Sequence, residues 1–408
     1  MTQIERKSEK RFLILLGTII TQIGLGTIYT WSLFNQPIAD KFGWKLSKVT
    51  VTFSIASFAL AFATLFVGKI QDKIGIRKMI SLAGIVMGLG LILTSKANSL
   101  TMLYITAGIV VGAADGIGYM ASLSNCIKWF PDKKGLISGI AVGSYGAGSL
   151  IFKYINSDII NSRGVTVAFL SWGIIACLMV TGGAQLLRDA KVSAAASENK
   201  AKNYDYTPKE MLKKKEAYLL FIMMFTACMS GLYIIGIVKD IGVSMAGLSV
   251  SVAANAVAMV AIFNTAGRII LGALSDKVGR LKVIAFALSV TAVSVFVMNT
   301  VHMNFAIFFA CVAGIAFSFG GNITVFPALV GEFFGLKNHS KNYGIIYQGF
   351  GIGALSGSVI ANIAGSFKAT FVVIGIMCVL SILIAIYIKV PQIESDKKSL
   401  KLRERTAM

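Results

Sequence analysis

A succession of long apolar runs without charge limits this chain more than any other feature, for example FLILLGTIITQIGLGTIYTWSLF (12–34) and TFVVIGIMCVLSILIAIYI (370–388). A bilayer core is crossed by roughly 20 residues of helix. In lipid only a helix or a closed barrel satisfies its own backbone. A barrel would show alternating segments of about ten residues, whereas these runs are continuous. Only 14% of the 408 residues are charged, against about a quarter in soluble domains. The pattern predicts an all-α integral membrane protein with twelve transmembrane helices. Their expected limits are 12–34, 49–68, 79–95, 101–125, 136–157, 166–187, 217–238, 250–273, 283–300, 304–327, 342–365 and 370–388. Abundant glycine (41) and scarce proline (5) suit helices that pack closely through small residues.

An even number of spans puts both ends on one side. Of the 39 Lys and Arg residues, 30 fall on that side and seven in the opposite connections, with Lys153 and Arg268 inside spans. The positive-inside rule then predicts cytoplasmic termini. The net charge of +21 reads as topology, not as a nucleic-acid footprint, because no soluble basic domain is present. The basic N-terminus and first apolar run lack a small-residue cleavage site and read as a retained span. Cys126, Cys177, Cys228, Cys311 and Cys378 are scattered without metal or redox spacing. Both histidines, His302 and His339, fall in expected loops, and a structural role is expected for all seven.

The chain repeats itself. GKIQDKIGIRK (68–78) returns as GALSDKVGRLK (272–282), 204 residues later, and KWFPDKKG (128–135) precedes EFFGLKN (332–338) by one repeat. Between the copies lies the one long hydrophilic stretch, 188–216, which reads as a flexible linker. The expected organisation is an N-terminal six-helix bundle (1–187), the linker (188–216), a pseudo-symmetric C-terminal bundle (217–390) and a tail (391–408). Duplicated halves with a path between them form the usual plan of a secondary transporter. In each motif a glycine (Gly68, Gly272) admits a neighbouring helix. An aspartate (Asp72, Asp276) can accept from a helix N-terminus or an arginine. Gly75, Gly279 and Arg280 complete a candidate gate on the basic side.

The paired motif resembles the signature loops of the major facilitator superfamily. GTIYTWSLFNQPI, NCIKWFPDKKGLISG, GRIILGALSDKVGR and KNYGIIYQGFGIG are similar to its oxalate/formate antiporter family. ADGIGYMASLSNCIKWFPDKKGLIS, ACMSGLYIIGIVKDI and NITVFPALVGEFFGL resemble an enterobacterial branch regarded as pyruvate transporters. The resemblance implies alternating-access transport of small carboxylates across the bacterial inner membrane, with protons or a counter-anion, and no cofactor. A monomer is expected. No cluster of acids beside a nucleophile and no H-E-x-x-H pattern points to a membrane enzyme, and no soluble domain points to a receptor.

Two charges lie deep in the expected spans. Arg268 precedes Asp276 by eight residues, about 12 Å of helix. A guanidinium there either binds a carboxylate through two parallel hydrogen bonds or pairs with an acid on another helix. Family members carry a substrate-binding arginine at this motif position. Asp115 lies fourteen residues before Trp129, about 21 Å, near mid-membrane. It is a candidate for the coupling proton, and equally a structural partner of Arg268 or of backbone. Lys153 is expected to snorkel to the outer surface. The resemblance adds Tyr29, Tyr119, Phe319, Tyr347 and Phe350 as pocket positions, and Gln348 is a polar neighbour in the same span. Oxalate-exchanging members have a lysine where this chain has Phe350. With one cation left, a monocarboxylate such as pyruvate, lactate or formate is the expected substrate, with proton symport, and oxalate/formate-type exchange is the alternative.

Overall fold

A computed structural model describes residues 3–190 and 205–391. The middle of the expected linker, all but the first residue of the tail, and the side chains of Arg6, Lys7 and Lys10 lie outside the described residues. Within them every regular element is helical. The first half contains α1 (Gln3–Gly26), α2 (Ser32–Phe42), α3 (Leu46–Ile74), α4 (Ile76–Thr94), α5 (Leu100–Leu103), α6 (Val111–Trp129) and α7 (Lys134–Leu186). The second contains α8 (Pro208–Met211), α9 (Lys215–Gly236), α10 (Val238–Ala246), α11 (Val250–Val278), α12 (Arg280–Thr300), α13 (Phe305–Phe334), α14 (His339–Ile346), α15 (Gln348–Ala364) and α16 (Phe367–Tyr387).

Eleven described helical stretches are long and apolar enough to cross a membrane. One of them, α7, has 53 residues, about 80 Å at 1.5 Å per residue and far more than one crossing needs. It is broken at Gly164, whose φ of +82° and ψ of 168° reverse the chain at a single residue. Counted as two passes, α7 brings the total to twelve. The loop expected at 158–165 is therefore helix almost throughout. Helix ends also run past the apolar runs, as α13 continues to Phe334, because apolar length marks lipid and not the protruding turns.

Three passes are broken in ways that hydropathy does not reveal. A 3₁₀ turn (Thr27–Thr30) separates α1 from α2. Tyr347 separates α14 from α15. A π-helical stretch (Tyr104–Val110) joins α5 to α6. Such interruptions free backbone groups and cluster at functional positions.

Within each half, glycine brings backbones into contact. A Cβ on Gly116 of α6 would lie 2.1 Å from Leu60 O of α3, and one on Gly320 of α13 would lie 2.1 Å from Asn264 O of α11. The two pairs stand 204 residues apart, so the duplication seen in the motifs extends into the packing. We call the side carrying Arg11, Arg188, Tyr206 and Tyr387 the terminus face.

Candidate functional site

The halves meet along two seams. In the first, the opening turns of α7 lie on the closing turns of α11. A Cβ on Gly135 would lie 2.4 Å from Gly272 O, and one on Gly139 would lie 2.8 Å from Arg268 O. In the second, α3 lies on α14 and α15: the equivalent distance from Gly344 to Thr64 O is 2.6 Å.

Both motif copies sit at the terminus-face ends of these seams. Gly75 (φ +76°) and Gly279 (φ +102°) turn the chain there in the left-handed region. Asp276 accepts from the backbone N–H groups of Gly135 (2.9 Å) and Leu136 (2.8 Å) at the start of α7. It also accepts from Arg280 Nη2 at 2.8 Å, and Arg280 Nη1 pairs with Glu332. A carboxylate on two free N–H groups at a helix N-terminus is doubly favoured, by hydrogen bonding and by the helix dipole. Asp72, by contrast, pairs with Lys341 of α14. Gly68 admits the stem of that lysine: an added Cβ would lie 2.2 Å from Lys341 Cγ.

Further from the terminus face, the first seam holds Arg268. Its side chain is 3% exposed, and Nη1 donates to Val142 O of α7 at 2.7 Å. Gly146 leaves room for it, since a Cβ there would lie 3.1 Å from Nη1. Nε has no partner, and no carboxylate stands within ion-pair distance among the described residues. The buried charge is thus held by one carbonyl from the opposite half.

Asp115, fully buried on α6, does not pair with Arg268. Its Oδ2 accepts from Tyr145 Oη at 2.7 Å, and Oδ1 has no partner. Tyr145 escaped the sequence reading because it lies among glycines in GSYGAG, where nothing marks it apart from ordinary packing.

Aromatic rings link these charges to the second seam. Tyr29, on the 3₁₀ turn, meets Tyr145 edge-on at 5.3 Å, and Tyr145 meets Tyr119 in the same way at 5.3 Å. Tyr119 lies 5.5 Å from Tyr347 across the halves, and Tyr347 stacks on Phe350 at 5.0 Å. Phe350 is therefore one ring removed from Tyr119. Tyr119 Oη is buried without a hydrogen bond.

Two expected pocket positions also make structural contacts. Phe319 packs its ring on Gly231 of α9. Gln348 Nε2 donates to Ala61 O at 2.7 Å and to Gly344 O at 2.8 Å, so its amide clamps the second seam. Lys153 is exposed on α7, 6.0 Å from the Tyr154 ring.

His339 departs furthest from expectation. It opens α14, is fully buried, and contacts both halves. In GLKNHSKNYG it has polar and turn-forming neighbours, which read as a loop. His302 does lie outside the helices.

Two helical bundles that touch along paired seams, with buried charge between them, define a two-half membrane carrier. The chain belongs to the Major Facilitator Superfamily, whose profile matches twice, over residues 14–263 and 220–406. It is 47% identical over 345 residues to the MFS-type transporter YhjX of Escherichia coli (strain K12), covering 85% of this chain and 86% of that one. It is 26% identical to the oxalate:formate antiporter of Oxalobacter formigenes, covering 96% and 94%. The fold matches the crystal structure of the transporter FucP with a TM-score of 0.72 at 13% identity, covering 93% of this chain and 99% of that one. This chain is a multi-pass membrane transporter of small molecules.

Proposed function

We propose that the protein carries a small monocarboxylate, such as pyruvate, lactate or formate, together with a proton, by alternating access in the bacterial cytoplasmic membrane. The observation that carries this reading is Arg268: a buried guanidinium with an unpartnered Nε and no acid within ion-pair distance among the described residues. Burying an unpaired charge is costly, and a bound carboxylate would supply the missing partner through two parallel hydrogen bonds. Tyr29, Tyr119 and Tyr347 would give it hydroxyl donors, with Phe350 and Phe319 as apolar walls. One cation balances one negative charge, and phenylalanine at 350 leaves a second carboxylate without a counter-charge.

Asp115 would carry the coupling proton, with Tyr145 orienting it. The terminus face would be cytoplasmic, by its excess of Lys and Arg. Bundles 1–187 and 217–390 would be the moving bodies, acting as a monomer, and the gate would open on the side of Asp72 and Asp276. Anion exchange remains a second reading, favoured by the similarity to a protein named for oxalate:formate antiport.

The test is uptake of labelled pyruvate, lactate, formate and oxalate into proteoliposomes, with and without a pH gradient. Gradient-driven accumulation of a monocarboxylate, with oxalate a poor competitor, is expected. Asp115→Asn should lose that accumulation and retain exchange of the same anion. Failure of all four substrates under every gradient overturns the carboxylate reading. Gradient-driven uptake by Asp115→Asn overturns the coupling role.

A further inference from the structure

His339 is buried where the two halves close the terminus face. Its ring contacts Ser124 Oγ of α6 through Nδ1 (2.5 Å) and Pro327 O of α13 through Nε2 (2.8 Å). A carbonyl can only accept, so Nε2 bears the hydrogen, and Nδ1 is left to accept from the Ser124 hydroxyl. In the neutral ring this pattern fixes the tautomer, and the side chain acts as a bolt with one end in each half. Both ring nitrogens are used, and the side chain has no exposure.

Its surroundings are arranged against a charge. The charged groups acting on it are Lys128, at the end of α6, and Lys134, at the start of α7, both of its own sign if it protonates. From α13 it meets the Pro327 carbonyl and Gly331, whose added Cβ would lie 3.3 Å from Cδ2. From α14 it meets the ring of Tyr343 at 5.8 Å. No carboxylate forms an ion pair with it among the described residues. A proton on Nδ1 would not by itself break the contact with Ser124, because a hydroxyl can accept as well as donate. It would place an uncompensated cation in a sealed seam beside two lysines, which is costly. Parting α6 from α14 removes that burial.

We infer that His339 is a proton-binding site of the terminus-face gate, filled only when the halves part, so that acid on that face holds the gate open. It is distinct from the candidate substrate site, and binding there needs no carboxylate. A single proton that binds one state and not the other shifts the equilibrium by at most tenfold per pH unit. The shift continues downward in pH until the open-state imidazole is fully charged.

The experiment uses the full chain in lipid nanodiscs without substrate. Native cysteines are replaced, and spin labels at Lys73→Cys and Lys277→Cys, both exposed on the terminus face, report the separation of the halves by pulsed dipolar spectroscopy. Between pH 7.5 and 5.5 the long-distance population should rise several-fold in the labelled parent. His339→Asn keeps an acceptor near the position of Nδ1 for the Ser124 hydroxyl and cannot titrate, and its distances should not change with pH. His339→Gln serves if the asparagine variant does not fold. Ser124→Ala loosens one end of the bolt while keeping the imidazole. It should be more open than the parent at pH 7.5 and still respond to acid. An equal acid response in the His339 variants, or none in the parent, overturns the inference. Because no substrate is present, that outcome is separate from any failure of the carboxylate reading.

Discussion

The two copies of the repeated motif start from nearly the same residues and end in different chemistry. In the second copy Asp276 caps α7 across the seam and shares Arg280, itself paired with Glu332. Offset by 204 residues, the first copy has Ile76 where the second has Arg280, and Lys128 where it has Glu332. Among the described residues Asp72 pairs with Lys341, and the two side chains are 64% and 27% exposed, against 16% each for Asp276 and Arg280. The Ile76 amide is capped instead by Asp189, from the segment after α7. Duplication supplied the scaffold twice, and one seam became a desolvated latch while the other stayed wet. The same division applies deeper in the membrane. The position of Arg268 is Thr64 in the first half, and that of Asp115 is Phe319 in the second. A carrier whose base and acid stand on non-equivalent sites can charge its halves separately.

Four substitutions bear on this asymmetry, from the largest expected effect to the smallest. Arg268→Lys keeps a charge but loses the planar fork. At about 1.5–3 kcal/mol per charge-assisted hydrogen bond, apparent affinity should fall roughly 10- to 100-fold while membrane insertion is unchanged. Competition binding on purified protein measures this, and unchanged affinity removes Arg268 from the carboxylate's contacts. Next, Asp276→Asn removes the charge from two amide contacts and takes away one of the two acidic partners of Arg280. The gate should open more readily by about 10-fold or more, read as faster cysteine labelling along the first seam. Gln348→Leu deletes the neutral hydrogen bond that crosses the second seam to Ala61 O, worth about 1 kcal/mol, and should raise labelling there several-fold. Asp72→Asn should matter least, because an exposed pair contributes about 0–1 kcal/mol, and 1 M salt should mimic it. If Asp72→Asn opens the gate as much as Asp276→Asn, the two seams are equivalent and the comparison fails.

Much of this was legible in the sequence. The passes follow from apolar length, the two halves from the 204-residue echo, and the depth of Arg268 from its distance to the Asp276 loop. Seam chemistry was not legible. In a membrane, a helix face turned to lipid and one turned to another helix are both apolar, so hydropathy cannot say which side of α7 meets α11. That is why the sequence does not mark Tyr145 as the partner of Asp115 or Gln348 as a residue that ties two helices together. His339 was hidden for the opposite reason. Its neighbours are polar because they belong to a helix start pressed between two bundles, and polarity alone resembles a solvated turn.

The single-residue reversal at Gly164 bears on how the chain enters a bilayer. With no loop between the two arms of α7, the folded pair forms a hairpin with its corner at one residue, a shape suited to entering the bilayer as one unit. Only glycine adopts its φ of +82° without strain, so a side chain there would burden membrane insertion before any substrate is met. The same tight corner offers a protease or an inserted epitope almost no slack. Topology mapping at this corner would then report the damage done by the tag instead of the position of the chain.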